Sequence, residues 1–518
     1  MKKIPWLLLM AAAANLRAAE VASTNAPATN APPAAKSEAA AIPDATHKPV
    51  CTTNTVTIAG QRVTYVAETG MLPILKPDGT TSASVFYVAY TRMDEHGPSR
   101  PTQPGGKNSA ARPVTFCFNG GPGSSSVWLH LGALGPRRVK MNPDGTQPPP
   151  PFGLVDNEYS LLGASDLVFI DPVATGFSRA AKDEKADAFF GDAADLDSVG
   201  EFIRLWTTRH DRWLSPKYLC GESYGVFRAA GLADHLRSRY GLYLNGLMLV
   251  SGVLDFATIW TNPGNDLPYP LSLPSFTATA QFHGKLPPDL QNDLTKAVAE
   301  ARAFAQGEYL AALQLGDALP ADARKKITEK LVRLTGLTPQ VITDNKLRID
   351  EGVFRKQLLH DQGLILGAYD ARLTGRDDDA AAPYPGFDPS ATATLGPFSA
   401  AMNSYVRGEL KFEDDLPYEI IAGVQPWNYG VRNSYASAGG KLAATINANP
   451  YMRVLVLGGR RDLVCPLDTM RYALGHMQLA AAYRTNITYA EFDSGHMMYI
   501  NLPDLKKMQQ DLEKFVKP

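Results

Sequence analysis

An α/β fold built on a mainly parallel sheet is predicted by two features of the sequence. From Pro113 onward, short apolar runs alternate with segments of helical periodicity. Most of these runs are apolar throughout, which is typical of strands that are buried on both faces of a sheet. Such runs also resume after a long interruption, so the last strands are expected to join the same sheet. Helices are therefore expected to cover both faces.

Three short β runs precede this alternation and are predicted at 55–58, 62–67 and 84–91. The Pro-Asp-Gly at 77–79 predicts a turn between the second and third runs. Residues 94–112 are charged and rich in Gly and Pro, which predicts a loop. The strands of the alternating region are then predicted at 114–118, 167–170, 218–220, 247–250, 454–457 and 487–492.

The predicted helices show apolar residues on one face. In one segment these residues are Leu196, Val199, Phe202, Ile203 and Trp206. The last segment repeats the pattern at Leu505, Met508, Leu512 and Phe515. This spacing matches the 3.6-residue period of a helix that packs one face on a core.

Residues 261–429 interrupt the alternation and are interpreted as a mostly helical lid inserted into the core. Helices are expected from Pro287-Pro288 onward, over about 321–335 and over about 353–366. An insertion at this point of such a fold would shape a substrate pocket. The alternative is a separate domain packed elsewhere. The core would then comprise residues 49–260 and 430–518.

The N-terminus has the features of an export signal, predicted at 1–19. Two lysines precede the apolar run 4–14, which is too short to span a bilayer and is followed by small residues. Residues 20–48 are rich in Ala, Pro, Thr, Asn and Ser, which predicts a flexible leader. We therefore expect a periplasmic or secreted protein with no membrane insertion in its mature form. A buried first helix is the alternative.

The overall composition excludes several function classes. The 51 basic and 52 acidic residues leave no basic excess, so nucleic acid is not an expected partner. No Cys-x-x-Cys or His cluster is present, so neither a metal site nor a cofactor is expected. Of the four cysteines, Cys117 and Cys220 lie in strand-like runs and are expected as buried thiols. Whether Cys51 and Cys465 pair is left open, as is the oligomeric state.

The pentapeptide Gly-Glu-Ser-Tyr-Gly at 221–225 lies between a predicted strand and a predicted helix. A Gly-x-Ser-x-Gly in that context is typical of the nucleophile elbow of α/β-hydrolases. The tight turn requires small residues near Ser223 and holds its hydroxyl clear of the sheet. A surface turn is the alternative, but the flanking strand and helix favour a catalytic serine and the α/β-hydrolase fold.

A serine nucleophile needs a general base and a carboxylate that orients the base. Asp462 follows the strand at 454–457, and His496 follows the next strand, at 487–492. This is the Ser, Asp, His order of the fold, and strand ends are where catalytic residues collect in α/β sheets. Asp468 and Asp493 are the alternative carboxylates.

The glycine-rich segment after the strand at 114–118 is a candidate for oxyanion binding. Asn119, Gly120 and Gly121 begin a turn whose backbone N–H groups can face a ligand without interference from a Cβ. Phosphate binding is the alternative, but the Gly-x-x-x-x-Gly-Lys-Ser/Thr motif is absent.

Five motifs in one order, from about residue 80 to the C-terminus, resemble the signature of the serine carboxypeptidases, peptidase family S10. They are Asn-Gly-Gly-Pro-Gly at 119–123 with Leu-Gly-Pro at 134–136, Asp-Pro-Val-Ala-Thr-Gly-Phe-Ser at 171–178, Gly-Glu-Ser-Tyr at 221–224, Asp-Leu-Val-Cys at 462–465, and Gly-His-Met at 495–497. The resemblance implies an α/β-hydrolase core, a helical insertion, and removal of C-terminal residues from peptide substrates.

The resemblance also implies roles for individual residues. Ser223 would be the nucleophile, His496 the base and Asp462 its orienting acid. Backbone N–H groups of Gly121 and Tyr224 would form the oxyanion hole.

The substrate's terminal carboxylate would contact Asn119, Gly120 and Glu222, and Met497 would line the pocket of the leaving residue. A physical reason supports Glu222: two carboxyl groups in contact must share a proton, which favours binding at acidic pH. The simpler alternative is that Glu222 points to solvent.

This sequence departs from the family at Ala133, where many members carry a second glutamate, and at Ser124, where a cysteine is common. With the bulky Trp128 beside the site, Ala133 keeps an esterase or acyltransferase as the alternative to a carboxypeptidase. Trp128 is accordingly counted among the substrate-binding candidates. A non-catalytic binding protein is the third hypothesis.

Overall fold

A computed structural model describes residues 45–94, 97–98 and 112–517. The predicted export signal at 1–19, most of the leader at 20–48 and most of the loop at 94–112 lie outside these residues. Among the described residues, no helix is both long and apolar enough to cross a membrane.

Fifteen strands are present in the described part of the chain. They are β1 Val50–Ile58, β2 Gln61–Leu75, β3 Thr81–Asp94, β4 Gly97–Pro98, β5 Val114–Phe118, β6 Arg137–Val139, β7 Leu154–Asp156, β8 Asp166–Ile170, β9 Arg179–Ala180, β10 Lys217–Glu222, β11 Gly246–Val250, β12 Leu364–Leu366, β13 Thr374–Arg376, β14 Arg453–Gly459 and β15 Ile487–Phe492. All nine strands predicted from the sequence are confirmed.

The main sheet has the order β1-β2-β3-β8-β5-β10-β11-β14-β15, with β4 and β9 also paired to β3. The last six strands in this order, which are β8, β5, β10, β11, β14 and β15, are parallel to one another. Strand β2 pairs antiparallel with β1 and β3, and β3 pairs antiparallel with β8. Strands β5, β8, β10 and β11 are buried at every residue, which explains the apolar runs in their sequences, although Asp166 begins β8 and Lys217 and Glu222 begin and end β10. Because the strands are parallel, their carboxyl ends meet at one edge.

Fourteen α-helices are present in the described part of the chain. They are α1 Val127–Leu129, α2 Asp192–Arg209, α3 Tyr224–Tyr240, α4 Pro268–Phe282, α5 Pro288–Gln291, α6 Leu294–Phe304, α7 Leu310–Leu315, α8 Ala321–Thr335, α9 Pro339–Asp344, α10 Glu351–Gln357, α11 Pro389–Gly408, α12 Gly439–Ala448, α13 Leu467–His476 and α14 Leu502–Val516. The helix predicted over about 321–335 is confirmed as α8.

Both faces of the sheet are covered. Helices α2, α3, α12 and α13 pack on one face, and α1, α11 and α14 pack on the other. The apolar stripes predicted at 196–206 and 505–515 are the buried faces of α2 and α14. A mainly parallel sheet between two helical layers is the α/β-hydrolase architecture that the sequence predicts.

Helices α4 to α10 share a core of their own, between β11 and β14 in the chain. Helix α11 also belongs to the predicted insertion at 261–429, but it packs on the sheet beside α14. The interrupted sheet does resume after the insertion, since β14 pairs directly with β11 from Gly246↔Arg453 to Val250↔Leu457.

Two helical predictions inside the insertion need correction. The helix predicted over about 353–366 is wrong in its second half: α10 ends at Gln357, Gly363 has φ +63°, and the next three residues form β12. A positive φ breaks a helix, and glycine adopts it readily. The helical segment after Pro287 is also divided, because Asp293 starts a new helix by accepting a hydrogen bond from the N–H of Lys296.

The cysteines divide as follows. Cys117 and Cys220 are neighbours on β5 and β10 and are buried, as the sequence predicts. Cys51 is exposed on β1, whereas Cys465 is buried, and the structure shows no bond between these two.

Candidate active site

Ser223 lies in a strained turn between β10 and α3. Its φ of +62° and ψ of −128° are rarely adopted by residues other than glycine. The turn is also crowded, because a Cβ at Gly221 would lie 2.1 Å from the carbonyl oxygen of Gly225. The N–H of Ser223 donates to the carbonyl of Val250 at 3.0 Å, which ties the turn to β11. The local geometry is that of a nucleophile elbow.

Asp462 and His496 form a buried acid–base pair in the loops after β14 and β15. His496 Nδ1 lies 2.8 Å from Asp462 Oδ2, and the two residues are 2% and 0% exposed. The other carboxylate oxygen, Oδ1, accepts the N–H groups of Val464 and Cys465, each at 2.9 Å. These contacts leave Oδ2 directed at the imidazole, as expected for an orienting acid.

The two alternative carboxylates, Asp468 and Asp493, each form an ion pair with an arginine. Asp468 forms a bidentate pair with Arg302 at 2.6 and 3.1 Å. Asp493 is exposed and pairs with Arg460 at 2.9 Å. The structure therefore brings Asp462, of the three candidates, to the histidine.

Ser223 joins this pair through shared neighbours. The Ser223 side chain interacts with the Cys465 thiol, and the backbone N–H of Cys465 donates to Asp462 Oδ1. Glu222, the residue before the nucleophile, interacts electrostatically with both His496 and Asp462. The carboxyl ends of β10, β14 and β15 thus bring the three predicted triad residues to one edge of the sheet.

A tyrosine from the insertion fixes the histidine and was not identified from the sequence. The backbone N–H of His496 donates to the carbonyl of Tyr369 at 2.5 Å. The Tyr369 ring also meets the imidazole edge-on, with ring centroids 5.2 Å apart. Gly495 permits this approach, because a Cβ there would lie 2.1 Å from the Tyr369 oxygen. Nothing in the local sequence around Tyr369 indicates this contact.

The glycine-rich turn lies against the start of α3. A Cβ at Gly120 would lie 2.3 Å from the backbone nitrogen of Tyr224, so only glycine fits. Gly121 has φ +100°, again a glycine conformation. Tyr224 begins α3, and the first N–H groups of a helix have no acceptor within the helix. The structure therefore packs the turn that contains Gly121 against the N-terminus of the helix that begins at Tyr224.

Glu222 is buried at the centre of this arrangement and does not point to solvent. It is 2% exposed, and its Oε2 accepts a hydrogen bond from the Tyr499 hydroxyl at 2.8 Å. Burial raises the pKa of its carboxyl to about 7, although the nearby His496 and hydrogen bonds from Tyr499 and Asn119 oppose the rise. The neutral form of Glu222 is therefore accessible near neutral pH.

The pKa of His496 is subject to opposing effects. Burial lowers it, but the Asp462 carboxylate and then the charge of Glu222 raise it by more, so the net shift is upward. The influence is mutual, because the charge of Glu222 raises the pKa of His496 and the charge of His496 lowers that of Glu222.

The remaining predicted substrate-binding residues, Asn119, Trp128 and Met497, make the following contacts. Asn119 is buried, its side-chain oxygen accepting the N–H of Leu129 at 3.1 Å. The Trp128 indole N–H donates to Ser124 Oγ at 2.9 Å, and its ring packs on Phe398. Met497 directly follows the histidine and is 8% exposed, in the apolar cluster under α14. Within the described ranges, no group of three metal-ligating side chains is found.

Comparison with known proteins connects this geometry to a family. Residues 78–266 match the family model of the serine carboxypeptidases. The chain is 30% identical over 158 residues to serine carboxypeptidase-like 16 of Arabidopsis thaliana, covering 29% of this chain and 35% of that protein. It is 31% identical over 175 residues to the vitellogenic carboxypeptidase of Aedes aegypti, covering 32% of each.

The chain thus spans about a third of the length of these curated relatives. Among solved structures, the crystal structure of VinJ is matched over 86% of this chain and 97% of that one, at 15% identity and a TM-score of 0.35. The family model, the curated relatives and the ordered motifs agree with one another. Residues 78–266 are thus similar to the serine carboxypeptidases, peptidase family S10, and the curated relatives carry the same family name.

Proposed function

We propose that this protein is a serine carboxypeptidase that removes the C-terminal residue of peptides through an acyl-enzyme on Ser223. The position and burial of Glu222 support a substrate with a free C-terminal carboxylate. A buried carboxyl with a pKa of about 7 stands directly before the nucleophile and interacts with the catalytic histidine. In its neutral form such a group donates a hydrogen bond to a carboxylate and does not repel it.

In the proposed acylation step, Ser223 Oγ attacks the carbonyl carbon of the last peptide bond while His496 Nε2 takes the hydroxyl proton. The same proton then passes to the leaving amine, the C–N bond breaks, and the C-terminal residue departs. Water, activated by His496, hydrolyses the ester in the second half of the cycle. Asp462 supports both halves because it holds Nδ1 at 2.8 Å and stabilises the imidazolium.

The oxyanion that forms in each half would be bound by the backbone N–H groups of Gly121 and Tyr224. These donors belong to a fixed turn and a helix N-terminus, so they need no reorganisation when charge develops. The positive end of the α3 dipole adds to the effect.

The proposed recognition of the terminal carboxylate has a defined pH dependence. Below its pKa of about 7, Glu222 is neutral and donates to the substrate carboxylate; above it, Glu222 is charged and repels that group. Protonating Glu222 also removes one of the charges that raise the pKa of His496, so the imidazole stays neutral to lower pH. Both effects favour cleavage of free-carboxyl peptides at mildly acidic pH.

We expect a peptide with a free C-terminal carboxylate to be cleaved with a kcat/KM on the order of 10–100-fold above that of the same peptide as a C-terminal amide, because a hydrogen bond to a charged group is lost. The advantage should decline as pH rises through about 7, the pKa of Glu222. Initial rates for both peptides, measured across the pH range, test this.

Glu222→Gln is the matched control, since the amide cannot ionise. In this variant the decline above pH 7 should disappear, whereas the maximal rate on an ester without a carboxylate should be retained and only its lower pH limit, set by His496, should move down. Equal cleavage of acid and amide by the unaltered enzyme would contradict a carboxypeptidase.

A second candidate, an esterase or acyltransferase with the same triad, is favoured by one observation. Ala133 is buried and offers no second carboxyl near Glu222. Turnover of esters with no preference for a free carboxylate would support this second candidate.

We further propose that the insertion at 261–429 acts as a lid and that the protein is exported. Tyr369, which contacts His496, supports the first point. The charged and apolar pattern of residues 1–19 supports the second. On expression of the full chain, the secreted or periplasmic protein should lack this segment in N-terminal sequencing; retention of residue 1 in the cytoplasm would contradict export.

A further inference from the structure

Tyr499 is a buried residue that no motif identified. It lies in the 3-10 turn Met498–Ile500 between the histidine loop and α14, and it is 2% exposed. Its hydroxyl donates to Glu222 Oε2 at 2.8 Å. This hydroxyl therefore contacts the one carboxyl on which the proposed substrate recognition depends.

The position of the Tyr499 ring is fixed from one side by the segment His130–Leu134. A Cβ at Gly132 would lie 2.4 Å from ring atom Cε2, so the ring occupies the space that a side chain would need. The backbone there is held in turn, because the Asn157 side chain donates to the carbonyls of Ala133 and Gly135, each at 2.8 Å. The Tyr499 ring is therefore packed tightly against a backbone segment that is itself held by hydrogen bonds.

The turn that carries Tyr499 is fixed from the other side as well. The N–H of Ser494 donates to Asp504 Oδ2 at 2.9 Å, and its hydroxyl bonds to the same oxygen. The Ser494 hydroxyl also contacts the carbonyl of Met498 at 3.3 Å. The phenol is thus held in place before any substrate binds.

The other groups around Glu222 do not replace this contact. Asn119 is its second hydrogen-bond partner, and the remaining interactions are electrostatic. The titratable groups that face Glu222 and the Tyr499 hydroxyl are His496, Asp462, Cys465 and Cys220. Burial and the charge of Glu222 raise the pKa of Tyr499 far above its usual range, so the phenol remains a donor throughout the working pH range.

We propose that Tyr499 is a positioning residue for substrate recognition: its hydroxyl holds Oε2 of Glu222 so that the proton of the neutral acid resides on Oε1 and is donated to the terminal carboxylate of the peptide. The proposal rests on the proposed carboxypeptidase function. It also explains how this chain can carry Ala133 where many family members have a second glutamate. One glutamate paired with a phenol would take the place of a pair of carboxyls.

The donated hydrogen bond has a second consequence, for the proton on Glu222. Burial raises the pKa of Glu222, and the charge of His496 and then the hydrogen bond from Tyr499 oppose the rise, because both stabilise the charged form. Tyr499 therefore contributes to the pH at which recognition of the carboxylate fails.

Tyr499→Phe tests this directly, because the ring stays packed on Gly132 and only the hydroxyl is lost. The decline in kcat/KM for a free-carboxyl peptide should move upward by roughly one pH unit, since a hydrogen bond to the charged acid is removed. At low pH, KM for that peptide should rise several-fold while kcat stays within about twofold. The maximal rate of hydrolysis of an ester without a carboxylate should fall much less than the rate for the free-carboxyl peptide.

Tyr218→Phe is the matched control. Tyr218 lies on β10 on the same face as Glu222, but its hydroxyl contacts the backbone carbonyl of Val516 at 3.4 Å. Its pH profile should coincide with that of the unaltered enzyme. An unmoved profile in Tyr499→Phe, an equal shift in Tyr218→Phe, or a parallel loss of ester hydrolysis would each overturn the proposal.

An infrared titration separates this proposal from the function on which it rests. The carboxylic-acid band lost in Glu222→Gln identifies Glu222, and its titration needs no substrate. The band should titrate at higher pH in Tyr499→Phe than in the unaltered protein, and coincident titrations would overturn the assigned role of Tyr499. If no peptide is cleaved but the band shifts, the carboxypeptidase function fails while the Tyr499–Glu222 coupling stands.

Discussion

Replacing Ser223 by alanine is expected to lower kcat by about 10⁴–10⁶-fold, because the atom that forms the acyl-enzyme is removed. The residual rate should come from the oxyanion donors and from binding alone. The fold should persist, since alanine differs from serine by one oxygen and tolerates the φ of +62° no worse. Steady-state rates and an unfolding curve, measured on the same preparation, check both parts.

Ser251→Ala is a suitable control for this experiment. Ser251 is a buried serine at the carboxyl end of the neighbouring strand, β11, and it also has a positive φ, of +44°. Its rate should stay within a few-fold of the unaltered enzyme. A Ser223→Ala variant that retained full turnover would remove the proposed nucleophile and, with it, the acyl-enzyme mechanism.

Asp462→Asn is expected to lower kcat by about 10⁴-fold at neutral pH, and the hydrogen bonds explain why. Oδ1 accepts two backbone N–H groups, so the asparagine oxygen should stay there. The NH₂ group would then face His496 Nδ1 in place of Oδ2. A donor at this position forces Nδ1 to accept, which places the imidazole proton on Nε2, where the base must be free. The loss should therefore reflect the wrong tautomer of an otherwise intact site.

Asp493→Asn is the comparison, because Asp493 is exposed and lies three residues before the histidine. It should leave kcat within a few-fold of the unaltered value. If Asp493→Asn impaired turnover as much as Asp462→Asn, the assignment of the orienting acid would be wrong.

Much of this site could be anticipated because its parts are local in sequence. The elbow, the glycine-rich turn and the two strand-end loops each follow a run of buried residues, and parallel strands bring their carboxyl ends to one edge. The order Ser223, Asp462, His496 then needs only the topology of the sheet. Steric crowding at Gly120 and Gly221 shows why these short motifs are so restricted.

The contacts that tune the site could not be anticipated in the same way. Tyr369 and Tyr499 act through tertiary contacts, and neither stands in a segment with a recognisable pattern. The helix predicted through 353–366 failed for a related reason. Its apolar residues Ile365 and Leu366 are buried on a short strand, and periodicity alone does not separate a short buried strand from a helix. Burial of Glu222 likewise depends on residues far away in the chain.

The central claim is that Ser223 is a nucleophile activated by the Asp462–His496 pair. Labelling the intact protein with a fluorophosphonate and locating the adduct by peptide mass spectrometry tests it most directly. One adduct per chain is expected, on Ser223, with a labelling rate that rises with pH as His496 loses its proton. An adduct on another residue, or equal labelling of Ser223→Ala, would contradict it.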